Sequence, residues 1–347
     1  MKLAMLAGTR PDIIKLAPII KECLRRNISF KLIYSNQHYS SYLSSIFFEE
    51  LSLPMPDYFI DNSLPTNKQK EELAKTLKDQ EIDYFMVHGD TNTALIGAMA
   101  ACKTNVKIIH VEAGLRSFDL NMIEEKNRII IDHLSNIHFT VTSVQNKNLL
   151  NENISNKSIH AVGNTIVDAV YDFLPEARRK SSILDKLKIK DSSYYLFTSH
   201  RASNVDGRNE LIETLKLVES LSETTVWPIH PRTSKRIEDY KLSIPENVII
   251  LEPIGYFDFL IVLENAKLVI TDSGGVQEEA YLLKTPCMTI RNSTERPETL
   301  AGDANVLVGR DIEVLQKYQS RNVHYYPDCI GDGRTAQKII EILFSYE

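Results

Sequence analysis

The sequence predicts an α/β protein of two Rossmann-like, doubly wound domains, and three observations carry that expectation. The chain has 347 residues, more than one domain usually holds and enough for two full cores. Short apolar, β-rich runs alternate with longer helical patterns, the rhythm of βαβ units on a parallel sheet. That rhythm runs through twice, on either side of a charged stretch around residue 180.

In chain order, the first set of strands reads KLAMLAG, FKLIYS, YFMVHG, KIIHV and IHFTVT. After VGNTIVDAV the chain turns polar through PEARRKSSILDKLKIKDSS, with little apolar periodicity until YYLFTS, so the domain junction is expected there. The second set follows as YYLFTS, TTVWPIH, NVIILEP, KLVITDS, PCMTI and ANVLVG, with helical patterns such as RNELIETLKLVESLS between them. The last segment, TAQKIIEILFSYE, has apolar residues at helical spacing after the turn-rich CIGDGR. The expected domains are 1–170, with a C-terminal helix at about 334–347 packing back on it, and 171–333. No fixed-period repeat or low-complexity tract is visible.

Composition narrows the function classes. Hydrophobic residues make up 43% and charged residues 25%, the balance of an ordinary globular protein. A net charge of −6 gives no electrostatic reason to expect nucleic acid or an anionic membrane as partner, so any anion must be held locally. Cys23, Cys102, Cys287 and Cys329 are scattered without C-x-x-C pairs or a histidine cluster. Neither a metal site nor a disulfide framework is expected, and a reducing, cytoplasmic compartment fits. The apolar run of MKLAMLAGTRP stops at Gly8, too early for a signal peptide or membrane anchor, and reads as a strand.

In open α/β sheets, ligands bind beyond the carboxyl ends of the strands, so polar residues there are the candidates. In GTRPDIIK, Gly8 permits a tight turn and Pro11 suits a first helical turn, leaving Arg10 and Lys15 beside free helix-start amides. This is either an anion site or a solvated helix start. In LVITDSGGVQEEA, strand, glycine turn and helix form phosphate-binding grammar: amides at Ser273, Gly274 and Gly275 could approach a pyrophosphate, and Glu279 could accept from ribose hydroxyls. The plainer reading is a capped helix with acidic first-turn residues.

VHGDTNT places His88 and Asp90 at one strand end, and IIHVEAGLRSF places His110, Glu112 and Arg116 at the next. In IEEKNRIIIDHL, Glu124 and Arg128 lie one helical turn apart and could simply be a surface ion pair. If Asp90, Glu112 and Glu124 converge, repulsion should raise at least one pKa, which suits proton transfer. The second half adds His200 and Arg201 in LFTSHRASN, His230 and Arg232 in VWPIHPRT, and Arg296 and Glu298 in TIRNSTERPETL. Arg296 could neutralise a phosphate charge.

With GTRPDIIK, NQH, HGDTNT, HVEAGLRSF, EEKNR, VGNTIVDA, HPRT, TDSGGVQEEA and TERPE in order, the chain resembles the non-hydrolysing UDP-N-acetylglucosamine 2-epimerases nearly end to end. The resemblance implies the GT-B architecture, two Rossmann-like domains facing across a cleft that takes a UDP-sugar. It implies reversible conversion of UDP-GlcNAc to UDP-ManNAc by anti elimination of UDP, a glycal intermediate and readdition, with no cofactor. It also implies a homodimer whose product feeds polysaccharide biosynthesis.

Position by position, the resemblance makes Asp90, Glu112, Glu124 and His200 catalytic. Arg10 and Lys15 become substrate-binding cations, Ser273, Gly274 and Gly275 the diphosphate turn, and Glu279 the ribose ligand. Arg296 lies near the diphosphate, Phe259 and the Ile254 backbone form the uracil pocket, and His230 lines the cleft. NMIEEKNR lacks the proline common before the glutamate pair, and HRASN replaces the more frequent HRREN. Ser40 stands where many members carry a longer residue associated with allosteric substrate binding.

NQHYSSYLSSIFFEELSLPMPDY, HRASN and HPRT are also similar to epimerases of UDP-2,3-diacetamido-uronic acids, whereas GNT, QEEA and TERPE favour the GlcNAc type. Hydrolysing 2-epimerases and GT-B glycosyltransferases are the remaining alternatives.

Overall fold

The apolar runs of the sequence form parallel strands buried on both faces, which is why they read as continuous rather than alternating. In the computed structural model, which describes residues 2–36, 47–191, 193–327 and 330–346, the chain divides into two units. One comprises residues 1–172 and 329–347, the other 173–328.

The first unit runs β1 (Leu3–Ala7), α1 (Arg10–Arg25), β2 (Phe30–Asn36), β3 (Tyr58–Asp61), α2 (Thr66–Asp79), β4 (Tyr84–His88), α3 (Asn92–Ala101), β5 (Lys107–Val111), α4 (Ile123–Leu134), β6 (Ile137–Thr140), α5 (Ser143–Asn151) and β7 (Ile159–Ala161). Its seven strands lie in the order β3-β2-β1-β4-β5-β6-β7. The chain winds outward from β1 through β2 and β3, then restarts at β4 on the other side of β1. That reversal makes the carboxyl ends of β1 and β4 a switch point, where such sheets bind ligands. Leu6, Ile33, Phe85, Val87, Ile108 and Ile131 build its core. Gly97 lets the alanine-rich α3 lie close to the sheet, since a Cβ there would stand 2.5 Å from Leu6 Cδ2.

The second unit follows as α6 (Thr165–Lys180), α7 (Ile183–Leu187), β8 (Tyr194–Thr198), α8 (Ala202–Val205), α9 (Arg208–Glu219), β9 (Thr224–Pro228), α10 (Pro231–Asp239), β10 (Val248–Leu251), α11 (Tyr256–Glu264), β11 (Leu268–Thr271), α12 (Gly274–Leu282), β12 (Cys287–Thr289), β13 (Asn305–Leu307) and α13 (Ile312–Tyr318), before α14 (Thr335–Phe344) returns to the first unit. Its strand order, β10-β9-β8-β11-β12-β13, puts the switch point between β8 and β11. Phe197 and Trp227 meet edge to face at 4.8 Å in its core.

Three elements differ from the sequence reading. The strands β3 and β7, four and three residues long, are too short to stand out. The polar stretch after residue 170 begins as helix: α6 crosses the boundary between residues 172 and 173. Val170, Phe173 and Ala177 are buried on it, and their helical spacing was masked by Pro175, which reads as a helix stop but lies inside α6. At the chain's end α14 lies against α1, with Ile339, Ile340 and Leu343 fully buried. No helix of the described residues is long and apolar enough to cross a membrane.

Candidate active site

In the first unit, the turn after β1 is tied down before any ligand is considered. Thr9 caps α1 and Asp12 reaches back, its Oδ2 accepting from the amides of Gly8 at 3.1 Å and Thr9 at 2.9 Å. Pro11 occupies the first turn. Burial pushes the Asp12 carboxyl above its ordinary pKa, against the lowering pull of His88 and the Gly8 and Thr9 hydrogen bonds. One turn on, the buried Lys15 donates to Glu112, the first residue after β5. His88 Nε2 lies 3.5 Å from the same carboxylate oxygen. Arg10 stacks its guanidinium 4.6 Å from the Phe47 ring centroid.

β4 and β5 are neighbours in register, His88 opposite Val111, so Asp90 and Glu112 emerge from adjoining strand ends. Arg128 of α4 ion-pairs with Asp90 and donates to Glu125 at 2.7 Å. Glu125 also accepts from the Ser117 amide at 2.9 Å, the Ser117 hydroxyl at 3.0 Å and the Phe118 amide at 2.8 Å. Burial opposes ionisation of Glu125, yet those amides and Arg128 bring its pKa below the ordinary value. Asn127 donates to the Asp90 carbonyl at 2.9 Å, drawing the start of α4 to that turn, and Glu124 sits half-buried in the same first turn.

The three acids thus keep adjoining positions, but the expected mutual repulsion is relieved by cations, Lys15 for Glu112 and Arg128 for Asp90. Arg128 is not the surface partner of Glu124: it is 2% exposed and turned toward Asp90 and Glu125. His110 and Arg116, candidates at the strand end, point instead into the interior. His110 bonds Asp132 at 2.6 Å and the Gly89 carbonyl at 2.9 Å. Arg116 bonds Asp132 at 2.7 Å and Glu152 through two nitrogens.

In the second unit, Asp272 organises the strand ends at β8 and β11. It is fully buried and accepts from Ser199 Oγ at 2.9 Å, the amides of His200 at 3.1 Å and Arg201 at 3.0 Å, and Asn204 Nδ2 at 2.8 Å. Burial alone would raise its pKa; the His200 side chain and these donors outweigh that and hold it at about 2. His200 Nδ1 stands 3.2 Å from Asp272, with the ring 53% exposed.

Directly after β11, Ser273 caps α12, accepting from the Val276 amide. A Cβ at Gly274 would stand 2.6 Å from Glu295 Oε1, whereas one at Gly275 would meet nothing within 4 Å. Arg296 pairs with Glu278 at 2.9 Å, and Arg291 and Arg201 meet Glu295 at 2.6 and 3.3 Å. An amide-bearing helix start beside three guanidinium groups is equipped for a phosphate. Glu279 lies buried on α12, Phe259 is buried on α11, and Ile254 lies just before the Gly255 N-cap of that helix. His230 caps α10, its Nδ1 accepting from the Arg232 amide at 3.2 Å. Burial, with His200 and Arg232 nearby, pulls its pKa below the ordinary value and favours the neutral ring.

Sequence reasoning missed Glu125, Asp132 and the part played by Asp272, whose carboxylates accept from backbone and side-chain donors across 68 to 73 residues or across a loop; no local spacing signals that. Gln37, His38 and Ser40 lie outside the described residues. A separate cavity of about 810 Å³, lined in part by Tyr84, Lys103 and Lys107, opens at the amino ends of β4 and β5, away from the acids.

Residues 21–344 match the profile of the UDP-N-acetylglucosamine 2-epimerase family. The UDP-N-acetylglucosamine 2-epimerase of Methanocaldococcus jannaschii is 42% identical over 364 residues, covering 99% of each chain. A crystal structure of the enzyme from that organism, in complex with UDP-GlcNAc and UDP, superposes with a TM-score of 0.91 at 41% identity over 100% of both chains. The UDP-2,3-diacetamido-2,3-dideoxy-D-glucuronate 2-epimerase of Pseudomonas aeruginosa is 35% identical, covering 99% of each. With two doubly wound units, motifs at both switch points and a match from residue 21 to residue 344, the chain belongs to the UDP-N-acetylglucosamine 2-epimerase family.

Proposed function

We propose that this protein interconverts UDP-GlcNAc and UDP-ManNAc by a non-hydrolytic route without a redox cofactor. The observation that carries the reading is the pair of carboxylates at adjoining strand ends, Asp90 and Glu112, each held by its own buried cation.

An acetamido-bearing C2–H is a poor acid, so its removal has to be coupled to departure of a leaving group. A carboxylate takes the C2 proton, and the C–H electron pair becomes the C1=C2 bond of a glycal. The C1–O bond breaks anti to it, its electrons leaving with UDP. Readdition of UDP at C1 with proton delivery to the other face of C2 completes the inversion. Asp90, Glu112 and Glu124 are assigned the proton transfers as a coupled set, without a face for each, and His200 completes the catalytic group.

UDP charge is assigned to the amides of Ser273, Gly274 and Gly275 and to Arg296, and Arg10 is assigned as a substrate-binding cation. Lys15, bonded to Glu112, serves the substrate by fixing that carboxylate. Glu279 is assigned to the ribose, Phe259 and the Ile254 backbone to the uracil, and His230 to the lining of the site.

The decisive experiment incubates purified protein with UDP-GlcNAc in deuterium oxide and follows C2 by NMR. Formation of UDP-ManNAc with deuterium at C2 and no net loss of nucleotide is expected. Free ManNAc and UDP would identify a hydrolysing epimerase, and a requirement for an acceptor would identify a glycosyltransferase. Turnover restricted to the diacetamido-uronate would favour the second reading, which the 35% identity to the Pseudomonas enzyme keeps in play. The higher identity to the methanogen enzyme, with GNT, QEEA and TERPE, supports the GlcNAc reading.

The protein is further assigned to the cytoplasm, where its unpaired thiols fit a reducing medium, and to a homodimer. Exposed Met99 on α3 and Ile130 on neighbouring α4 offer an apolar face to a second copy. Light scattering of the wild type and of Met99→Lys tests this, with a mass of one chain in the wild type counting against it.

A further inference from the structure

We infer that His110 and Asp132 are positioning residues that lock the two carboxylate-bearing turns, those of Asp90 and Glu112, into one geometry. This rests on the epimerase reading for what the turns do, but not for how they are held.

The turns themselves need holding. Gly89, just before Asp90, has φ 64°, Glu112 has φ 65° and Gly114 has φ 76°. Glu112 is a β-carbon-bearing residue in the left-handed region, a conformation that persists only where the surroundings over-determine it. The surroundings here converge on one buried pair. His110, two residues before Glu112, bonds the Gly89 carbonyl through Nε2 at 2.9 Å and Asp132 Oδ1 through Nδ1 at 2.6 Å. Asp132 in turn accepts from the Gly114 amide at 3.2 Å and from Arg116 at 2.7 Å. Arg116 also donates to the Leu115 carbonyl at 2.7 Å, and His138 Nε2 bonds the Asp132 carbonyl at 2.8 Å.

Hydrogen-bond direction fixes the protonation. A carbonyl only accepts, so Nε2 donates to Gly89, and the Asp132 carboxylate, which accepts from an amide and a guanidinium, also accepts from Nδ1. Consistently, His110 and Arg116 overcome the penalty of burial and bring Asp132 below the ordinary carboxylate pKa. His110 and Asp132 are both 0% exposed. Arg116 links the pair onward to Glu152, whose side chain is 26% exposed. Because Asp132 sits on α4, this network also refers Glu124 and Arg128 of the same helix to both turns.

Two substitutions in the full-length protein separate the bonds. In His110→Gln the amide nitrogen takes the place of Nε2 and keeps the Gly89 carbonyl. In His110→Asn it takes the place of Nδ1 and keeps only Asp132. If the Gly89 bond positions Asp90, kcat in H110N falls on the order of 100-fold while the Kd for UDP stays within about twofold. H110Q then recovers most of kcat. Equal kcat in the two variants, or wild-type kcat in H110N, overturns the inference.

A measurement on the wild type stands whether or not either variant folds. Long-range 1H–15N spectra of histidine-labelled protein should show both His110 nitrogens protonated, and a neutral tautomer overturns the inference. Failure of the wild type to exchange C2 would sink the epimerase reading and leave that spectrum to judge the network alone.

Discussion

Arg128 ion-pairs with Asp90, 38 residues earlier in the chain, while its other amino group holds Glu125. One guanidinium thereby fixes a candidate catalytic carboxylate and the loop that Glu125 anchors at Ser117 and Phe118.

Lysine cannot reproduce that fork. Arg128→Lys should lower kcat by roughly 10- to 100-fold with UDP affinity retained, since a small misplacement at the reacting centre has that effect. Arg128→Met removes the cation from Glu125, which keeps its hydrogen bonds from Ser117 and Phe118, and should cost about 1.5–3 kcal/mol of stability. Steady-state kinetics, calorimetric UDP titration and urea unfolding check these outcomes.

Asp90→Asn and Glu112→Gln keep the shape of each side chain and remove its proton-accepting power. C2 deuterium exchange should fall by about 10²- to 10⁴-fold, with UDP binding close to the wild type. Unchanged exchange in either variant would remove that residue from the proposed chemistry.

The low pKa of Asp272 ties stability to pH. Its folded value is about 2 against an ordinary 3.8, so the stabilisation is fully present above pH 4 and is lost as pH falls from about 4 to 2. Its size is about 2 kcal/mol by linkage. Asp272→Asn should lower the Tm at pH 7 and flatten its dependence on pH across that acid window. Scanning calorimetry at pH 3 and pH 7 makes the comparison.

The two glycines of the α12 turn should respond differently to alanine. A Cβ at Gly274 collides with Glu295, whereas at Gly275 it meets no protein atom. Gly274→Ala should therefore lose both Tm and UDP affinity. Gly275→Ala should keep its Tm and lose UDP affinity if the diphosphate occupies the space its Cβ would enter. Thermal denaturation with and without UDP distinguishes them.

Much of this was legible in the sequence because parallel strands are short, apolar and punctuated. KLAMLAG, YFMVHG and KLVITDS are each followed by the turn residues that lie at the switch points. The start of α1 was equally local, marked by Gly8 and by Pro11 in the first turn. What escaped were partners set by the sheet order rather than by spacing. Arg128 read as the neighbour of Glu124 one turn away, yet the β4–β5 pairing delivers Asp90 to it instead. Arg116 and His110 looked like strand-end ligands because alternation cannot say whether a polar side chain beyond a strand faces solvent or the interior. Pro175 hid the continuation of α6 from Phe173 to Ala177, because a proline reads as a helix stop yet here lies inside the helix.

The return of α14 to α1 imposes an order of assembly. Residues 173–328 are contiguous and can close as soon as they leave the ribosome, but the first unit is left with an open seam until Ile339, Ile340 and Leu343 arrive. A nascent chain would thus complete the α12 turn, proposed above to hold the diphosphate, before the scaffold of Asp90 and Glu112 is sealed. The first unit closes only once α14 has emerged.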